Sequence, residues 1–232
     1  RQMTALFDLP RHPQVPVAGS EKTFPVRRIF CVGRNYAAHA AEMGHEVDRE
    51  APFYFTKTPS ATVLTGATIP YPPGTNDYHH EMELVVAIGR PAFRISKEDA
   101  MSVVYGYACG LDMTRRDRQQ DGKDKRRPWD LGKDFEQSAV ISPITEAKDF
   151  TVGTQKIEMS VNGTVKQVAT LDELIWSIPE IINHLSGYYH LEPGDLIYTG
   201  TPSGVGAVVA GDHIHGTIDG LTAIDLTLGA AE

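Results

Sequence analysis

The sequence predicts an α+β fold in which β-strands dominate. Runs rich in β-branched and aromatic residues outnumber the segments that carry helix signals. Turn signals separate these runs, among them Asn162-Gly163, typical of a two-residue hairpin turn, and the tight-turn sequence Pro193-Gly194-Asp195. With 232 residues, of which 41% are hydrophobic, the chain is long enough for one main domain.

The first segment of the chain is predicted to be an arm that precedes the domain. Four prolines occur among polar residues in the first 25 positions, so residues 1–24 are expected to be irregular and residues 25–232 to form the domain. The apolar run at 28–32 predicts the first strand, which Gly33 ends. The Ala-rich stretch 35–43, closed by Gly44, predicts a helix.

The rest of the chain is expected to alternate strands and turns. Ser177 with Glu180 is a capping-box sequence for a helix that reaches residue 185. Ser96 with Asp99 could cap a helix through about residue 104, which competes with a strand there. Further strands are predicted near residues 53–55, 62–64, 81–88, 103–109, 138–141, 157–161, 164–168, 196–199 and 223–228.

The composition narrows the classes of function. A formal net charge of −8 argues against a general nucleic-acid surface or a basic membrane-binding face. No apolar run is long enough to span a bilayer, so no membrane association is expected. The two cysteines, Cys31 and Cys109, lie far apart and are expected in the core of a reduced, cytoplasmic protein.

Two glutamates interrupt an otherwise apolar strand in the sequence HHEMELVVAIG. Glu81 and Glu83 share one face with Val85 and Ala87, whereas the opposite face is wholly apolar. At about 7 Å apart two buried carboxylates repel each other and lose hydration, so a positive group is expected beside them. Mg²⁺ or Mn²⁺, with Asp112 as a third acid, is one candidate. A solvent-exposed edge strand is the alternative.

The histidines before these glutamates could form a softer site for zinc or iron. His79 and His80 are consecutive in the predicted strand and therefore point to opposite faces. At most one of them could join the two glutamates, and the other is expected to be structural or exposed.

A second candidate group lies on the first predicted helix. His39 and Glu42 are three residues apart, so the carboxylate could orient the imidazole as a base for water. A solvated helix face produces the same spacing. Lys133 in PWDLGKDF could stabilise an oxyanion or could be an ordinary surface lysine. The small-residue loop YTGTPSGVG, residues 198–206, could bind a carboxylate or could be a simple turn.

Six segments carry a resemblance to a known family. They are, in order, GRNYAAHAAEMG, PFYFTKTPSA, HHEMELVVAIG, YGYACGLDMTRRDRQ, RPWDLGKDFEQSA and SIPEIINHLSGYYHLEPGDLIYTGTPSGVG. In this order and spacing they resemble the fumarylacetoacetate hydrolase family, specifically its small acylpyruvate hydrolases, from about residue 25 to the end of the chain. The resemblance implies a mixed β-sandwich or roll with few helices that is usually a homodimer and holds Mg²⁺ or Mn²⁺.

The resemblance also implies roles for particular residues. Glu81, Glu83 and Asp112 match the metal ligands of the family, and His39 with Glu42 matches its water-activating dyad on a segment that orders into a lid.

Five further residues match positions around the substrate. Lys133 matches the active-site lysine, and Thr201, with Gly200 before it, matches the substrate-binding loop. Arg116 and Gln119 match the helix after the third ligand, where the glutamine faces the substrate.

The activity that the resemblance implies is metal-dependent hydrolysis of a carbon-carbon bond in an acylpyruvate. Fumarylpyruvate, cleaved to fumarate and pyruvate in aromatic catabolism of the gentisate type, is the leading expectation. Oxaloacetate decarboxylation, or isomerase and hydratase reactions of 2-oxo acids, are the alternatives on the same scaffold, and a non-enzymatic metal-binding module is a rival from another class. The second carboxylate of a fumaryl group could pair with Arg115, Arg118 or Arg126.

Overall fold

The computed structural model of the chain describes residues 1–232. It contains four α-helices: α1 (Ala37–Glu42), α2 (Arg116–Lys125), α3 (Asp130–Lys133) and α4 (Ile178–Leu185). Its strands are β1 (Gln14–Pro16), β2 (Thr23–Pro25), β3 (Arg28–Val32), β4 (Tyr54–Lys57), β5 (Thr62–Leu64), β6 (Ala67–Pro70), β7 (Tyr78–His79), β8 (Met82–Ile88), β9 (Val104–Asp112), β10 (Thr114–Arg115), β11 (Ala139–Ile141), β12 (Thr145–Glu146), β13 (Lys156–Val161), β14 (Thr164–Thr170), β15 (Asp195–Tyr198), β16 (His213–Ile218) and β17 (Ile224–Gly229). None of the helices is long and apolar enough to cross a membrane.

Two large sheets form the framework. The eight-stranded sheet has the order β4-β3-β15-β8-β9-β11-β5, with β12 paired beside β9, and the five-stranded sheet has the order β14-β13-β16-β17-β6. Both sheets are mixed, because the pairs β3-β15, β5-β11 and β6-β17 are parallel and the other pairs are antiparallel. The structure confirms the predicted strand-rich α+β fold with few helices.

The strand with the two glutamates lies in the middle of the larger sheet. Met82, Leu84 and Val86 of β8 are buried in a cluster that also contains apolar residues of β13, β16, β17 and α4, so this cluster fills the space between the two sheets. Val85 and Ala87, on the other face of β8, belong to a second cluster. Because β8 is buried on both faces, the alternative of a solvent-exposed edge strand is wrong.

The N-terminal region is more ordered than the sequence predicts. Strands β1 and β2 form an antiparallel hairpin, and its Val15 and Phe24 are buried in the second cluster against the larger sheet. The expectation of an irregular arm over residues 1–24 is therefore wrong for the part from residue 14 onward. The cause is tertiary, since three-residue strands become stable by covering an apolar sheet face.

Several elements form where local sequence signals predict them. Asn162 and Gly163, both at positive φ, connect β13 to β14 in a hairpin. The Ser177 capping box begins α4. Where helix and strand competed, only a short 3₁₀ turn forms over residues Ala100–Val103, and β9 follows it directly.

Candidate metal and active site

Three buried carboxylates converge where β8 begins and β9 ends. In the antiparallel register Met82 lies opposite Leu111, so Glu81 lies opposite Asp112, whose backbone N–H donates to the Glu81 carbonyl oxygen at 2.9 Å. Glu83 is two residues further along the same face of β8. One carboxylate oxygen from each acid lies within 4.8 Å of the others.

Three cations surround these carboxylates. Lys133, at the end of α3, donates to Glu81 Oε2 at 3.0 Å and to Asp112 Oδ2 at 3.1 Å. Arg116 Nη2 donates to Glu81 Oε1 at 2.9 Å. Lys57 Nζ lies 2.8 Å from Asp112 Oδ1 in a buried ion pair and also donates to the carbonyls of Met113 and Lys133. The cations thus balance Glu81 and Asp112 but do not reach Glu83.

The electrostatics follow from this unequal pairing. Burial alone would raise the pKa of Glu81, but Lys133 and Arg116 outweigh it and hold that pKa well below its ordinary value. Burial raises the pKa of Glu83 well above its ordinary value, and the charges of Asp112 and Glu81 raise it further. Burial lowers the pKa of Lys133, but Asp112 and Glu81 outweigh it, so the net shift is upward and the ammonium stays charged.

The donor set fits a hard divalent cation. All three acids offer oxygen atoms, which Mg²⁺ and Mn²⁺ prefer. Glu83 indicates missing positive charge, because no cation pairs with it and its pKa is raised by burial and by the neighbouring carboxylates. Glu81, Glu83 and Asp112 could therefore hold such an ion.

The two histidines before β8 do not join the carboxylates. His80 is buried and donates through Nδ1 to Gln167 Oε1 at 3.0 Å, and burial lowers its pKa to about 4. His79 contacts Asp77 at 2.8 Å on the other side of the strand. The zinc or iron alternative is therefore wrong, and the metal-capable group consists of acids alone.

The predicted dyad is assembled on α1. His39 Nδ1 donates to Glu42 Oε2 at 3.0 Å, and Glu42 Oε1 accepts from the backbone N–H of Gly204 at 2.9 Å. His39 is buried and lines the same cavity as Glu81 and Glu83. With Nδ1 bound to a carboxylate, Nε2 is the nitrogen left to act as a base.

The loop after β15 closes one side of the cavity. Gly200 has a φ of +108°, and its N–H donates to Glu83 Oε2 at 2.9 Å. A Cβ atom at this position would lie 2.7 Å from Asn35 Cβ, so both the conformation and the space require glycine. Thr201 lines the cavity and donates through Oγ1 to the Met82 carbonyl at 2.8 Å.

Gln167 of β14 links this loop to the carboxylate strand. Its Oε1 accepts from the Met82 N–H and from His80, and its Nε2 donates to Thr201 Oγ1 and to the Pro202 carbonyl. The buried amide therefore satisfies all its hydrogen-bonding capacity across the two sheets.

Arg116, predicted to lie around the substrate, is beside the carboxylates but outside the cavity. The guanidinium of Arg116 is taken up by Glu81, Gln119 and His79, and Arg116 does not line the cavity, whereas Gln119 does. Its position suits orienting Glu81 rather than contacting a substrate.

The three arginines considered for a distal carboxylate are also outside the cavity. Arg115 donates to the carbonyls of Leu131 and Pro73, Arg118 pairs with Asp121 at 3.3 Å, and Arg126 is the capping residue directly after α2. The hypothesis that one of them faces the acyl group is not supported by the structure.

Sequence reasoning missed four residues of the site. Lys57 closes an aromatic run, PFYFTK, and a charged residue at such a position was the available signal. Arg34, Lys123 and Trp129, unlike Lys57, line the cavity, but no spacing in the sequence brings them together.

The fold and site identify the family. The family described as Fumarylacetoacetate (FAA) hydrolase C-terminal matches residues 28–228, and the chain belongs to this family of enzymes. A fumarylpyruvate hydrolase of Ralstonia sp. is 56% identical over 192 residues, which are 82% of this chain and 100% of that protein.

Two other relatives bear on the activity. The crystal structure of fumarylpyruvate hydrolase from Pseudomonas aeruginosa in complex with Mn²⁺ and pyruvate has a TM-score of 0.94 and 45% identity, covering 98% of this chain and 100% of that one. A mitochondrial oxaloacetate decarboxylase of Dictyostelium discoideum is 42% identical over 84% of this chain and 90% of that protein. These similarities confirm the predicted family and the prediction that the chain is an enzyme.

Proposed function

We propose that the protein hydrolyses the carbon-carbon bond of an acylpyruvate, with fumarylpyruvate and water giving fumarate and pyruvate. The observation that carries the proposal is that His39, which is paired with Glu42, lines the same cavity as Glu81 and Glu83 of the buried carboxylate group. The Ralstonia relative is named for this reaction, and the Pseudomonas structure holds Mn²⁺ and pyruvate. Both support the choice of substrate.

Glu81, Glu83 and Asp112 would hold Mg²⁺ or Mn²⁺. When bound, the ion supplies a Lewis acid that stabilises negative charge on the 2-oxo end of the substrate. Lys133, whose raised pKa keeps it cationic, adds positive charge at the same end and fixes Glu81 and Asp112 in place. Arg116 fixes the other oxygen of Glu81.

His39 would act as the base. Its Nε2 takes a proton from a water molecule while Glu42 holds Nδ1, and the water oxygen attacks the carbonyl carbon of the fumaryl group. The bond from that carbon to the methylene group breaks, and its electron pair leaves with the pyruvate enolate. The proton on His39 then passes to the enolate carbon, which gives pyruvate and fumarate.

The proposal is tested with the three substrates that separate the candidate reactions. Fumarylpyruvate, acetylpyruvate and oxaloacetate are incubated with Mn²⁺ or with chelator, while enol absorbance and pyruvate release are followed. We expect fumarylpyruvate to be cleaved fastest and chelator to abolish the reaction. Turnover that ignores the chelator, or that is confined to oxaloacetate, contradicts the proposal.

Oxaloacetate decarboxylation is the second candidate, because the Dictyostelium relative carries that name. The pair His39 and Glu42 favours hydrolysis, since decarboxylation needs no activated water. Isomerase and hydratase reactions share the bound 2-oxo acid and are separated by the same assay. A homodimer, a cytoplasmic location and a place in aromatic catabolism stay predictions.

A further inference from the structure

Two cations that line the cavity have neither an acidic nor a hydrogen-bonding partner within the chain. Arg34 lies between β3 and α1, and Lys123 lies on α2, and both side chains are half-buried. Neither side chain forms an ion pair with an acid or a hydrogen bond with any other residue of the chain, whereas Lys57, Lys133 and Arg116 are all paired. Half-buried charges of like sign that lack an anion are unfavourable, so their presence requires an explanation.

Both cations rest against one aromatic wall. Lys123 Nζ lies 5.3 Å from the centre of the Trp129 ring, and Arg34 Cζ lies 5.8 Å from it. Arg34 Cζ also lies 5.2 Å from the centre of the Phe53 ring, which meets Trp129 edge to face. Cation–π contacts of this kind attract the two charges to the rings and leave N–H groups free to donate.

The positive charges in this part of the cavity favour an anion between Arg34 and Lys123. Burial, together with the positive charges of Arg34 and Arg116, lowers the pKa of Lys123 to about 8. Burial also lowers the pKa of Arg34. The residue at position 34 moreover has a φ of +50°, a conformation that is costly outside glycine and that often marks functional sites.

The location within the cavity limits which anion can bind. The buried end contains Glu81 and Glu83 with Lys133, and the half-buried end contains Arg34, Lys123 and Trp129. A substrate with its 2-oxo acid at the carboxylate end would extend its acyl group toward the two cations. An acetyl group ends there without charge, whereas a fumaryl group ends in a carboxylate.

We propose that Arg34 and Lys123 form a binding site for the distal carboxylate of a dicarboxylic acylpyruvate and so determine the preference for fumaryl over acetyl groups. The identity of the substrate rests on the proposed function, but the anion site rests on the two unpaired cations. Arg34 offers a planar fork of donors and Lys123 a point charge, and together they match the two oxygens of a carboxylate.

The test compares variants of the Mn²⁺-loaded protein on fumarylpyruvate and acetylpyruvate. Lys123→Met and Arg34→Met should each lower kcat/KM for fumarylpyruvate by about 10- to 100-fold, as expected for a lost charged hydrogen bond. The loss with acetylpyruvate should stay below about 3-fold. Lys123→Arg, which keeps the charge, should retain most of the selectivity.

Arg118→Met is the matched control, because Arg118 lies on the same helix and outside the cavity. It should change neither value by more than about 2-fold. Equal losses on both substrates in Lys123→Met and Arg34→Met overturn the proposal.

A binding measurement separates this site from the proposed reaction. Quenching of tryptophan fluorescence is titrated with fumarate and with crotonate, which differ by one carboxylate. The parent should bind fumarate more tightly than crotonate, and Lys123→Met should remove that difference while pyruvate binding is unchanged. If the parent cleaves neither acylpyruvate but shows this difference, the reaction is wrong and the anion site stands. If the parent does not distinguish fumarate from crotonate, the anion site is wrong.

Discussion

Lys57 is a fully buried lysine whose role is to neutralise Asp112. Its Nζ lies 2.8 Å from Asp112 Oδ1 and also donates to the Met113 carbonyl at 3.0 Å. Removal of Lys57 leaves Asp112 with Lys133, which Asp112 shares with Glu81, and a buried charge that loses a partner is strongly destabilising. Lys57 therefore stabilises the carboxylate group when no ion is bound.

We expect Lys57→Met to lower the free energy of unfolding by about 3–5 kcal/mol in the presence of chelator. Urea denaturation measures the change, and Lys22→Met at an exposed position is the control, with an expected change below about 0.5 kcal/mol. A loss in Lys57→Met no larger than that of the control contradicts the role of Lys57.

His39 carries the proton in the proposed reaction, so its removal should affect turnover rather than ion binding. We expect His39→Ala to lower kcat on fumarylpyruvate by about 100-fold or more, since general bases contribute on that order. Glu42→Gln should cause a smaller loss, because Glu42 only orients the ring. Glu46→Gln, exposed and just beyond α1, is the control. Activity of His39→Ala close to that of the parent removes His39 from the mechanism.

The sequence predicts the acidic residues of the site better than it predicts the cations around them. Alternation along one strand places Glu81 and Glu83 on the same face, and that inference needs no tertiary information. Lys57, Arg34 and Lys123 come from segments distant along the chain, and only folding brings them to the site. From the sequence alone, a charged residue that belongs to the site therefore cannot be distinguished from one that is exposed to solvent.

Helix α4 begins at the capping box that the sequence predicts. Ser177 Oγ accepts from the Glu180 N–H at 3.4 Å, and Glu180 Oε1 accepts from the Ser177 N–H at 3.1 Å. The buried isoleucines of α4 pack in the large cluster between the sheets, so fraying of this helix would expose that cluster.

We expect Ser177→Ala to lower the free energy of unfolding by about 1 kcal/mol, the usual value for loss of an N-cap. Thr154→Ala at an exposed position without a side-chain hydrogen bond is the control. Equal melting temperatures of Ser177→Ala and the parent would show that packing alone determines where α4 begins.

Elements with a strong local signal were predictable, and those made by pairing were not. The hairpin at Asn162-Gly163 and the buried strand β8 follow from turn chemistry and apolar runs. Helix α2 has the sequence RDRQQDGKDK, in which no apolar residue reveals a helical period. Strand β16 contains two histidines and a glycine and exists because β13 and β17 flank it.

The whole molecule has two apolar cores, one on each face of the larger sheet. The hairpin of β1 and β2 covers the smaller core, which lies on the same face of β8 as the two glutamates. Loss of the hairpin should therefore affect the entire fold, although its sequence resembles a loose extension.

We expect Phe24→Ala to lower the free energy of unfolding by about 3–5 kcal/mol, because Phe24 is 7% exposed and its removal leaves a cavity. Phe7→Ala is the matched control, since Phe7 is 67% exposed and should change stability by less than about 0.5 kcal/mol. Chemical denaturation of both variants measures the difference. If the two variants are equally stable, the hairpin is not part of the cooperative unit.

Gln167 has a consequence for how such a molecule can change over evolutionary time. Its amide joins four groups from two segments, residues 80–82 and 201–202, and no other side chain reproduces two donors and two acceptor positions in that space. Glutamate would lose both donors, and methionine would leave all four partners unsatisfied. The two sheets must therefore keep their relative position as the sequence changes. New substrate preferences should then arise through substitutions at the half-buried end of the cavity and not through a shift of one sheet against the other.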